Sequence, residues 1–339
     1  IINEHNEPNV RTTVKKIYEG MVVKSQNRWP SLKRDFGSIN NLFSPIFSAG
    51  FYYKTFMGPK GFWKNVYEPL IRRTAGLGKP PREFKSKSIH LHHNVDVLIV
   101  GGGLAGLLAA KKLAGTDHDV LLIERDSALG GNLRNTKKIK SIDDQKPVNW
   151  IEKTEWLIKN SKNIKVLKNT TVTTYNYNNH LIAFEDKSVG NPQDNNKPEL
   201  VLHKIRAKHT ILANGHIERF LSFRNNDLPG VMLAASFEKY IRRYGVIPDE
   251  NPVIFTNNSS TFSLVDSLLA LGHKPKAYID VRDQKKIEKE TLDLLTKHNI
   301  PLYAKSEIEG CDGNNEVQKV SVRVKKDKII KIKTSMLCV

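Results

Sequence analysis

Three glycines in one short stretch have the types and spacing that bind a diphosphate. Gly101, Gly103 and Gly106 follow an apolar run, Val95–Val100, and lead into an apolar-periodic run, Leu107–Ala114. In a strand–turn–helix unit, the first glycine permits the tight turn, the second lets the backbone approach a pyrophosphate, and the third lets helix and strand pack closely. The N-terminus of the helix then presents free N–H groups and the positive end of its dipole to the phosphates. The pattern predicts a dinucleotide site.

A carboxylate stands where the ribose of such a ligand would lie. A further apolar run, Val120–Ile123, ends on Glu124. It lies roughly twenty residues after the glycines, where an acid accepts hydrogen bonds from both ribose hydroxyls. Because a carboxylate repels a 2′-phosphate, the pattern favours NAD or FAD over NADP. The pair Gly130-Gly131 indicates a second close approach of the backbone, usual in the flavoprotein branch of these folds, with an ordinary surface turn as the alternative.

The remaining contacts are predicted from the order of the strands. In folds of this type the backbone after the third strand often meets the adenine, which places Val172 there. A later strand that begins at His209 ends in Ala213-Asn214-Gly215, which matches an Ala-Thr-Gly turn that closes over the cofactor in two-dinucleotide flavoproteins. The predicted cofactor-binding residues are Gly101, Gly103, Leu104, Ala105, Gly106, Glu124, Arg125, Gly130, Gly131, Val172, Ala213 and Gly215.

No catalytic constellation or metal site is predicted. Ser259-Ser260 and Ser306 lack the glycine-flanked elbow that exposes a nucleophilic serine. No cysteine lies at Leu133–Asn135, after the double glycine, which argues against a dithiol flavoenzyme. A histidine cluster before the first strand has no Cys or carboxylate at metal spacing, so we interpret it as a solvated linker rather than a zinc site. Its members are His90, His92 and His93.

The composition of the whole chain sets the class of protein. The 339 residues suffice for two ordinary domains, and the net charge is +19. The lysines are spread along the chain with many Asn and Ile residues, which favours a compositional bias over a nucleic-acid surface. An anionic cofactor or an acidic partner subunit also fits the charge. Two cysteines, Cys311 and Cys338, indicate a reduced, cytoplasmic setting. No apolar run reaches the roughly eighteen residues of a membrane span.

We expect an α/β protein with three parts. Residues 1–90 form an irregular, aromatic-rich N-terminal interface segment, which either wraps over a neighbouring domain or subunit or forms a local cluster. Residues 91–250 form a Rossmann-like FAD/NAD(P)-binding domain. Residues 251–339 form a second Rossmann-like domain, incomplete at the C-terminus. Its first turn, at Asn257-Asn258, lacks a glycine fingerprint, so we interpret that domain as structural. Because the chain begins at Ile1 and ends on an apolar run, we expect a fragment.

Local patterns predict further elements. Residues 10–18 fit a helix, and alternating runs at Thr170–Tyr177 and His180–Glu185 fit a hairpin, with a turn-rich loop at 188–199. One strand is predicted at Val201–Ala207 and a separate one from His209.

Several segments together resemble one family. They are NEPNVRTTVKKIYEG, KSQNRWPS, NLFSPIFSAGFYYKTFM, FWKNVYEPLIRRTAGLG, DVLIVGGGLAGLLAA and RNNDLPGVMLA. Across nearly all of its length the chain is similar to the α subunits of heterotetrameric sarcosine oxidases. The aromatic segment is far more specific to that family than the glycine pattern. In these subunits a ferredoxin-like domain precedes the matching region, and a folate-binding domain follows it.

The resemblance implies cofactors and partners. It implies NAD on this chain, held by Gly101, Gly103, Gly106, Glu124, Gly130 and Gly131. It also implies β, γ and δ subunits, FAD at an amine-oxidation site on the β subunit, and FMN at the α–β interface. The whole enzyme would demethylate sarcosine oxidatively to glycine, pass the one-carbon unit to tetrahydrofolate through other regions, and give electrons to oxygen.

Two other hypotheses stay open. The chain could be the FAD-binding subunit of a related dehydrogenase that acts on amines or opines, or on glycine with cyanide as product, with FAD at Glu124. It could also be a scaffold whose NAD only stabilises the fold. This last hypothesis is compatible with a sarcosine oxidase α subunit.

Overall fold

The computed structural model describes residues 17, 19–25, 28–31, 34–43, 58–77, 88–187, 200–314, 316–324 and 328–339. The predicted helix at 10–18, apart from residue 17, the middle of the aromatic segment and the loop at 188–199 lie outside the described residues. The chain divides into two compact units. One comprises 1–89 with 186–201, and the other comprises 90–185 with 202–339.

The first unit contains short elements held by local contacts. A 3₁₀ helix spans Phe36–Phe43, and a π-helical turn at Trp63–Tyr67 leads into helix α1, Glu68–Thr74. The ring of Trp29 lies 5.8 Å from that of Phe36, centroid to centroid, yet 63% of Trp29 is exposed. These contacts agree with a local aromatic cluster. Docking of this segment on a partner stays a prediction.

The second unit begins with the predicted βαβ arrangement. Its first sheet has the order β3-β2-β1-β6-β5-β4, and β1, β2 and β3 pair in parallel. The predicted hairpin is confirmed, because β4 and β5 pair antiparallel. The strands are β1 Ser88–Val100, β2 Val120–Ile123, β3 Ile164–Leu167, β4 Thr170–Asn176, β5 His180–Asp186 and β6 Leu200–Leu212.

Two helices cover one face of this sheet. Helix α2, Leu104–Leu113, is rich in Leu and Ala, and helix α3, Pro147–Asn160, starts with a proline whose missing N–H costs nothing there. Leu107 of α2 and Trp150 of α3 are at most 1% exposed and pack against β1 and β2. Burying a leucine such as Leu107 stabilises the fold by about 2 kcal/mol. The packing fixes the glycine turn between β1 and α2.

A second α/β region follows within the same unit. Parallel strands form a sheet with the order β10-β9-β8-β14-β7, and β11, β12 and β13 form an antiparallel sheet. The second Rossmann-like region of the predicted fold class is thus present, and the predicted division into domains at 91–250 and 251–339 stays a prediction. In chain order the elements are β7 Val231–Met232, α4 Ala234–Tyr244, β8 Val253–Thr256, α5 Phe262–Ala270, β9 Ala277–Asp280, α6 Lys289–Lys297, β10 Leu302–Ala304, β11 Glu307–Asp312, β12 Lys319–Val324, β13 Lys328–Lys333 and β14 Leu337–Cys338.

Three predicted boundaries were wrong. Strand β1 starts at Ser88, so the histidine cluster lies in a strand and is not a linker. Strand β6 is continuous where two strands were predicted, because burial alternates without a break from Val201 to Ala207 and the backbone stays extended through Lys208. Helix α2 starts at Leu104 and not at Leu107, because the third glycine of the motif, Gly106, is part of the helix. Within the described ranges, no helix is long and apolar enough to cross a membrane.

Candidate dinucleotide-binding site

The turn after β1 is closed by a contact with the end of β6. Gly101 has φ +105°, and a β-carbon there would lie 2.3 Å from the carbonyl oxygen of Ala213. The Ala213 N–H donates to the Val100 carbonyl at 2.8 Å, and the Gly101 N–H donates to the Ile123 carbonyl at 2.8 Å. The structure therefore brings Gly101 and Ala213 together, and closure of this turn over a ligand stays a prediction.

The other two glycines of the motif have different surroundings. A β-carbon on Gly106 would lie 1.8 Å from the Gly101 carbonyl oxygen, so the third glycine sets the close packing of α2 on the turn. Gly103 caps α2, and a β-carbon there would meet no atom within 4 Å. Leu104 and Ala105 form the first turn of the helix, where backbone N–H groups have no partner inside the helix. Open space therefore faces free donors at Gly103.

Glu124 is fixed to this turn by hydrogen bonds from the backbone. Its Oε2 accepts from the Gly102 N–H at 2.6 Å, and its Oε1 accepts from the Asp126 N–H at 2.7 Å. The residue is half-buried, at the end of β2. Each carboxylate oxygen has a second lone pair for a further donor. The side chain is thus oriented, and it can still accept from a hydroxyl.

The double glycine packs against the same turn. Gly130 has φ +111°, and its N–H donates to the Gly102 carbonyl at 2.8 Å. Gly131 has φ +50°, and a β-carbon there would lie 3.0 Å from the Cα of Gly103. A side chain at either position would be strained, because L residues rarely adopt positive φ. Gly130 and Gly131 are therefore part of the frame around Gly103 and not a separate surface turn.

The other predicted residues lie farther from the turn. Arg125 is exposed, with its Nε 3.9 Å from Oδ1 of Asp126. Val172, in β4, packs with the apolar residues on the sheet face opposite α2 and α3, and its place beside an adenine stays a prediction. Gly215 is exposed with φ +70°, and a β-carbon there would meet no atom within 4 Å. Its role likewise stays a prediction.

Three residues that the sequence analysis missed support the site. Gly102 has no room for a β-carbon, which would lie 2.5 Å from Cδ2 of Leu129. Asp126 binds Glu124 through its N–H and forms an ion pair at 2.6 Å with Arg243 of α4. The run of three glycines signals Gly102, but nothing in the local sequence links Arg243 to a residue more than a hundred positions away.

The ion pair at Asp126 sets the local electrostatics. Burial would raise the pKa of Asp126, but the hydrogen bond and positive charge of Arg243 outweigh it and hold that pKa below its usual value. Burial would lower the pKa of Arg243, and Asp126 keeps it raised. Asp126 is therefore ionised at neutral pH, next to the carboxylate of Glu124.

The corresponding turn of the second α/β region is built differently. The acid at the end of β9, Asp280, is fully buried and pairs with Arg282 at 2.8 Å. The Arg282 Nη1 also donates to the hydroxyl of Ser259, in the turn after β8, at 3.1 Å. The chain's own side chains therefore satisfy Asp280, which agrees with a structural role for this turn.

Among the described residues, no group of three or more His, Cys, Asp or Glu side chains is arranged to hold a metal ion. Both cysteines are buried: burial raises the pKa of Cys311 to about 11 and that of Cys338 well above its usual value. Neither is therefore a ready nucleophile. The arrangement around Gly103 offers the first turn of α2 and the oriented carboxylate of Glu124, which are groups that can bind and orient a ligand.

Comparison with known proteins agrees with this geometry. A family model described as an NAD(P)-binding Rossmann-like domain matches residues 99–163. Sarcosine oxidase subunit alpha of Rhizobium meliloti (strain 1021) is 37% identical over 306 residues, which are 86% of this chain and 30% of that protein. The chain is a relative of sarcosine oxidase α subunits. The same subunit of Corynebacterium sp. (strain P-1) is 36% identical over 186 residues, or 54% of this chain and 19% of that one.

The resemblance predicted from the sequence is thereby confirmed, and the chain spans about 30% of the length of the first of these relatives. Two solved structures share the fold. Thioredoxin reductase of T. acidophilum has a TM-score of 0.55 at 15% identity, covering 73% of this chain and 76% of that one. L-proline dehydrogenase of P. horikoshii has a TM-score of 0.51 at 21% identity, covering 77% and 44%. The names of all these proteins are those of oxidoreductases, the class predicted for this chain.

Proposed function

We propose that this chain is the NAD-binding part of the α subunit of a multi-subunit sarcosine oxidase. The observation that carries the proposal is 37% identity to such a subunit across 86% of the chain. The geometry at Gly103 supports the binding role, because open space there meets the free N–H groups of α2. Glu124 lies beside it with its carboxylate already oriented.

Different residues of the site would bind different parts of the ligand. The first turn of α2 would hold the pyrophosphate through N–H groups and the helix dipole. Glu124 would accept hydrogen bonds from the ribose hydroxyls. Its negative charge would reject a 2′-phosphate, which favours NAD over NADP. The site would bind the nucleotide without catalysing a reaction on it, as the resemblance to sarcosine oxidase α subunits implies.

Amine oxidation would take place elsewhere in the assembly. We place FAD and the oxidation of sarcosine to glycine on the β subunit, and FMN at the α–β interface, with γ and δ subunits completing the enzyme. Tetrahydrofolate would accept the one-carbon unit through other regions. The net charge of +19 fits an acidic partner surface. The name of the R. meliloti relative supports a multi-subunit oxidase.

A second candidate is an FAD-binding subunit of an amine, opine or cyanide-forming glycine dehydrogenase. The double glycine favours it, because Gly130 and Gly131 bring a second stretch of backbone against Gly103, as flavoproteins of this fold do. FAD contains the same adenosine diphosphate as NAD. The contacts of Glu124 therefore fit either ligand.

Identification of the bound cofactors separates the two candidates. The native assembly would be purified, its subunits separated, and the cofactors released by heat or acid and identified by chromatography and absorbance. One NAD per subunit on this chain, with flavin on a smaller partner, is the expected result. Stoichiometric FAD released from this subunit alone would overturn the NAD assignment in favour of the dehydrogenase.

A second measurement links the ligand to the site. Glu124→Gln removes the charge and one acceptor, so NAD bound per subunit is expected to fall. The matched control is Glu250→Gln, an exposed glutamate outside the glycine turn. Equal NAD content in both variants would place the nucleotide elsewhere.

A further inference from the structure

Helix α4 reaches the nucleotide site from the second α/β region. Arg243 lies in its last turn, and its Nη1 is 2.6 Å from Oδ2 of Asp126. The Arg243 side chain is only 18% exposed, and its guanidinium lies 5.7 Å from the centroid of the Tyr244 ring. The side chain is therefore held in one place, with its charge directed at the loop that follows Glu124.

Asp126 connects that charge to the ribose-binding acid. Its N–H donates to Oε1 of Glu124 at 2.7 Å, and its carbonyl oxygen accepts from the Asn169 N–H at 3.2 Å. Glu124 in turn accepts from Gly102 in the glycine turn at 2.6 Å. A chain of direct contacts thus runs from α4 through Asp126 and Glu124 to the phosphate-binding turn.

We propose that Arg243 is a positioning residue for nucleotide binding: through Asp126 it holds the Glu124 carboxylate in the orientation that accepts the ribose hydroxyls. The inference rests on the proposed function, which places a dinucleotide at Glu124. Asp126 and Glu124 are two carboxylates two residues apart, and both are withdrawn in part from water. Without Arg243 their repulsion would move Asp126 toward solvent. Its N–H would then leave Glu124.

The other charges near Asp126 do not replace this contact. Lys239 and Arg125 also lower the pKa of Asp126, but only through their charge, whereas Arg243 adds a hydrogen bond. Arg125 is 70% exposed, so water screens its charge. Affinity for the nucleotide would therefore depend on α4, although α4 follows the glycine motif by more than a hundred residues.

The test is the dissociation constant for NAD, measured by calorimetry on the native assembly after bound nucleotide has been removed. Arg243→Met is expected to weaken NAD binding about tenfold, the loss typical of a hydrogen bond between charged groups. Arg242→Met, which removes the same charge from an exposed position on the same helix, should leave it within about twofold.

A double-mutant cycle distinguishes positioning from general stabilisation. In a Glu124→Gln background, Arg243→Met should cost almost nothing further, because the carboxylate that it positions is gone. The same tenfold cost in both backgrounds would overturn the proposal, as would unchanged affinity of Arg243→Met in the wild-type background. If the wild-type protein binds no NAD, the proposed function fails and this inference fails with it. If wild-type binds NAD but the cycle shows no coupling, only this inference fails.

Discussion

Gly103 and Gly106 lie three residues apart, yet a methyl group would have opposite consequences at the two positions. At Gly106 it would clash with backbone, since a β-carbon falls 1.8 Å from the Gly101 carbonyl oxygen. At Gly103 it would enter open space, with φ −76°, which any L residue adopts. One glycine is required by the fold. The other, under the proposed function, is required only by a ligand.

We therefore expect the two alanine variants to separate folding from binding. Gly106→Ala should lower the free energy of unfolding by about 3 kcal/mol or more, as expected when a core position is overpacked against backbone. Gly103→Ala should change the free energy of unfolding little but weaken NAD binding at least tenfold, because the methyl group would occupy the proposed place of the pyrophosphate. Thermal denaturation and calorimetry measure the two effects. Unchanged NAD affinity in Gly103→Ala would contradict a pyrophosphate at this position.

At the scale of elements, a polar chain crosses β1, β6 and β5. The His93 Nε2 lies 2.9 Å from Nδ1 of His203, and the His203 Nε2 lies 3.0 Å from Oε2 of Glu185. A carboxylate only accepts, so His203 carries its proton on Nε2 and its Nδ1 accepts from His93. His203 is 1% exposed.

From the hydrogen bonds of His93 and His203 we predict that the protein loses stability in mild acid. Burial lowers the pKa of His93, and the charges of His203, Lys165 and His92 lower it further, against an opposing effect of Asp119. Because His93 binds a proton more readily in the unfolded state, neutral His93 contributes fully to stability above about pH 6.5. That contribution is lost as the pH falls through the lowered pKa of His93 in the folded state. We expect the melting temperature to fall between pH 7 and pH 5.

His93→Gln should make that fall shallower, because glutamine can still donate to His203 and does not titrate in this range. His209→Gln, an exposed position in the same strand as His203, is the control and should keep the wild-type slope. Parallel slopes for all three proteins would show that His93 does not contribute to the pH dependence of stability.

These elements also show what sequence patterns can and cannot predict. Strand β2 is a short, continuous apolar run, and its bounds are those of the run Val120–Ile123 in the sequence. Strands β7 and β14 have two residues each, too few to show a period, and were missed. The length of β1 was underestimated because its first residues are polar. The partner of His93 is His203, in a strand more than a hundred residues away, which a local pattern does not show. Similarly, Gly101 and Glu124 follow a local motif, whereas Arg243 depends on tertiary packing.

At the scale of the molecule, one buried carboxylate joins the two α/β regions of the second unit. Glu238 of α4 is 4% exposed, and its Oε1 accepts from the hydroxyls of Ser263, at 2.5 Å, and Ser267, at 3.2 Å, both on α5. It also accepts at 3.2 Å from the N–H of Lys137, in the loop that leads away from the double glycine, and the same N–H donates at 2.9 Å to the hydroxyl oxygen of Ser263. The Lys137 ammonium pairs with Asp266 at 3.0 Å. Helices α4 and α5 thus hold the loop beside the site.

Removing that carboxylate should loosen the loop from the helices. Glu238→Ala leaves the two serine hydroxyls without their shared acceptor, at a cost of about 1–3 kcal/mol. The Lys137 N–H keeps only the Ser263 hydroxyl oxygen as its acceptor, and Glu238 no longer holds that hydroxyl in place. Hydrogen exchange at the Lys137 amide should therefore accelerate by roughly tenfold to a hundredfold, since local opening follows local free energy. Glu238→Gln keeps one oxygen acceptor and should fall between Glu238→Ala and wild type.

Glu250→Ala is the control for the loss of a glutamate at an exposed position, and exchange at Lys137 should not change there. Exchange at Lys137 that stays at the wild-type rate in Glu238→Ala would mean that contacts other than Glu238 hold the loop. These are the bond from the Lys137 N–H to the Ser263 hydroxyl oxygen, at 2.9 Å, the Lys137–Asp266 ion pair, and the contact between Thr136 and Ser263, at 2.9 Å. Faster hydrogen exchange confined to Lys137 and its neighbours would show that Glu238 holds this loop against the helices. Because Arg243 lies on the same helix, a loosened joint should also weaken NAD binding, and by less than Arg243→Met does, since the contact between Arg243 and Asp126 is left in place.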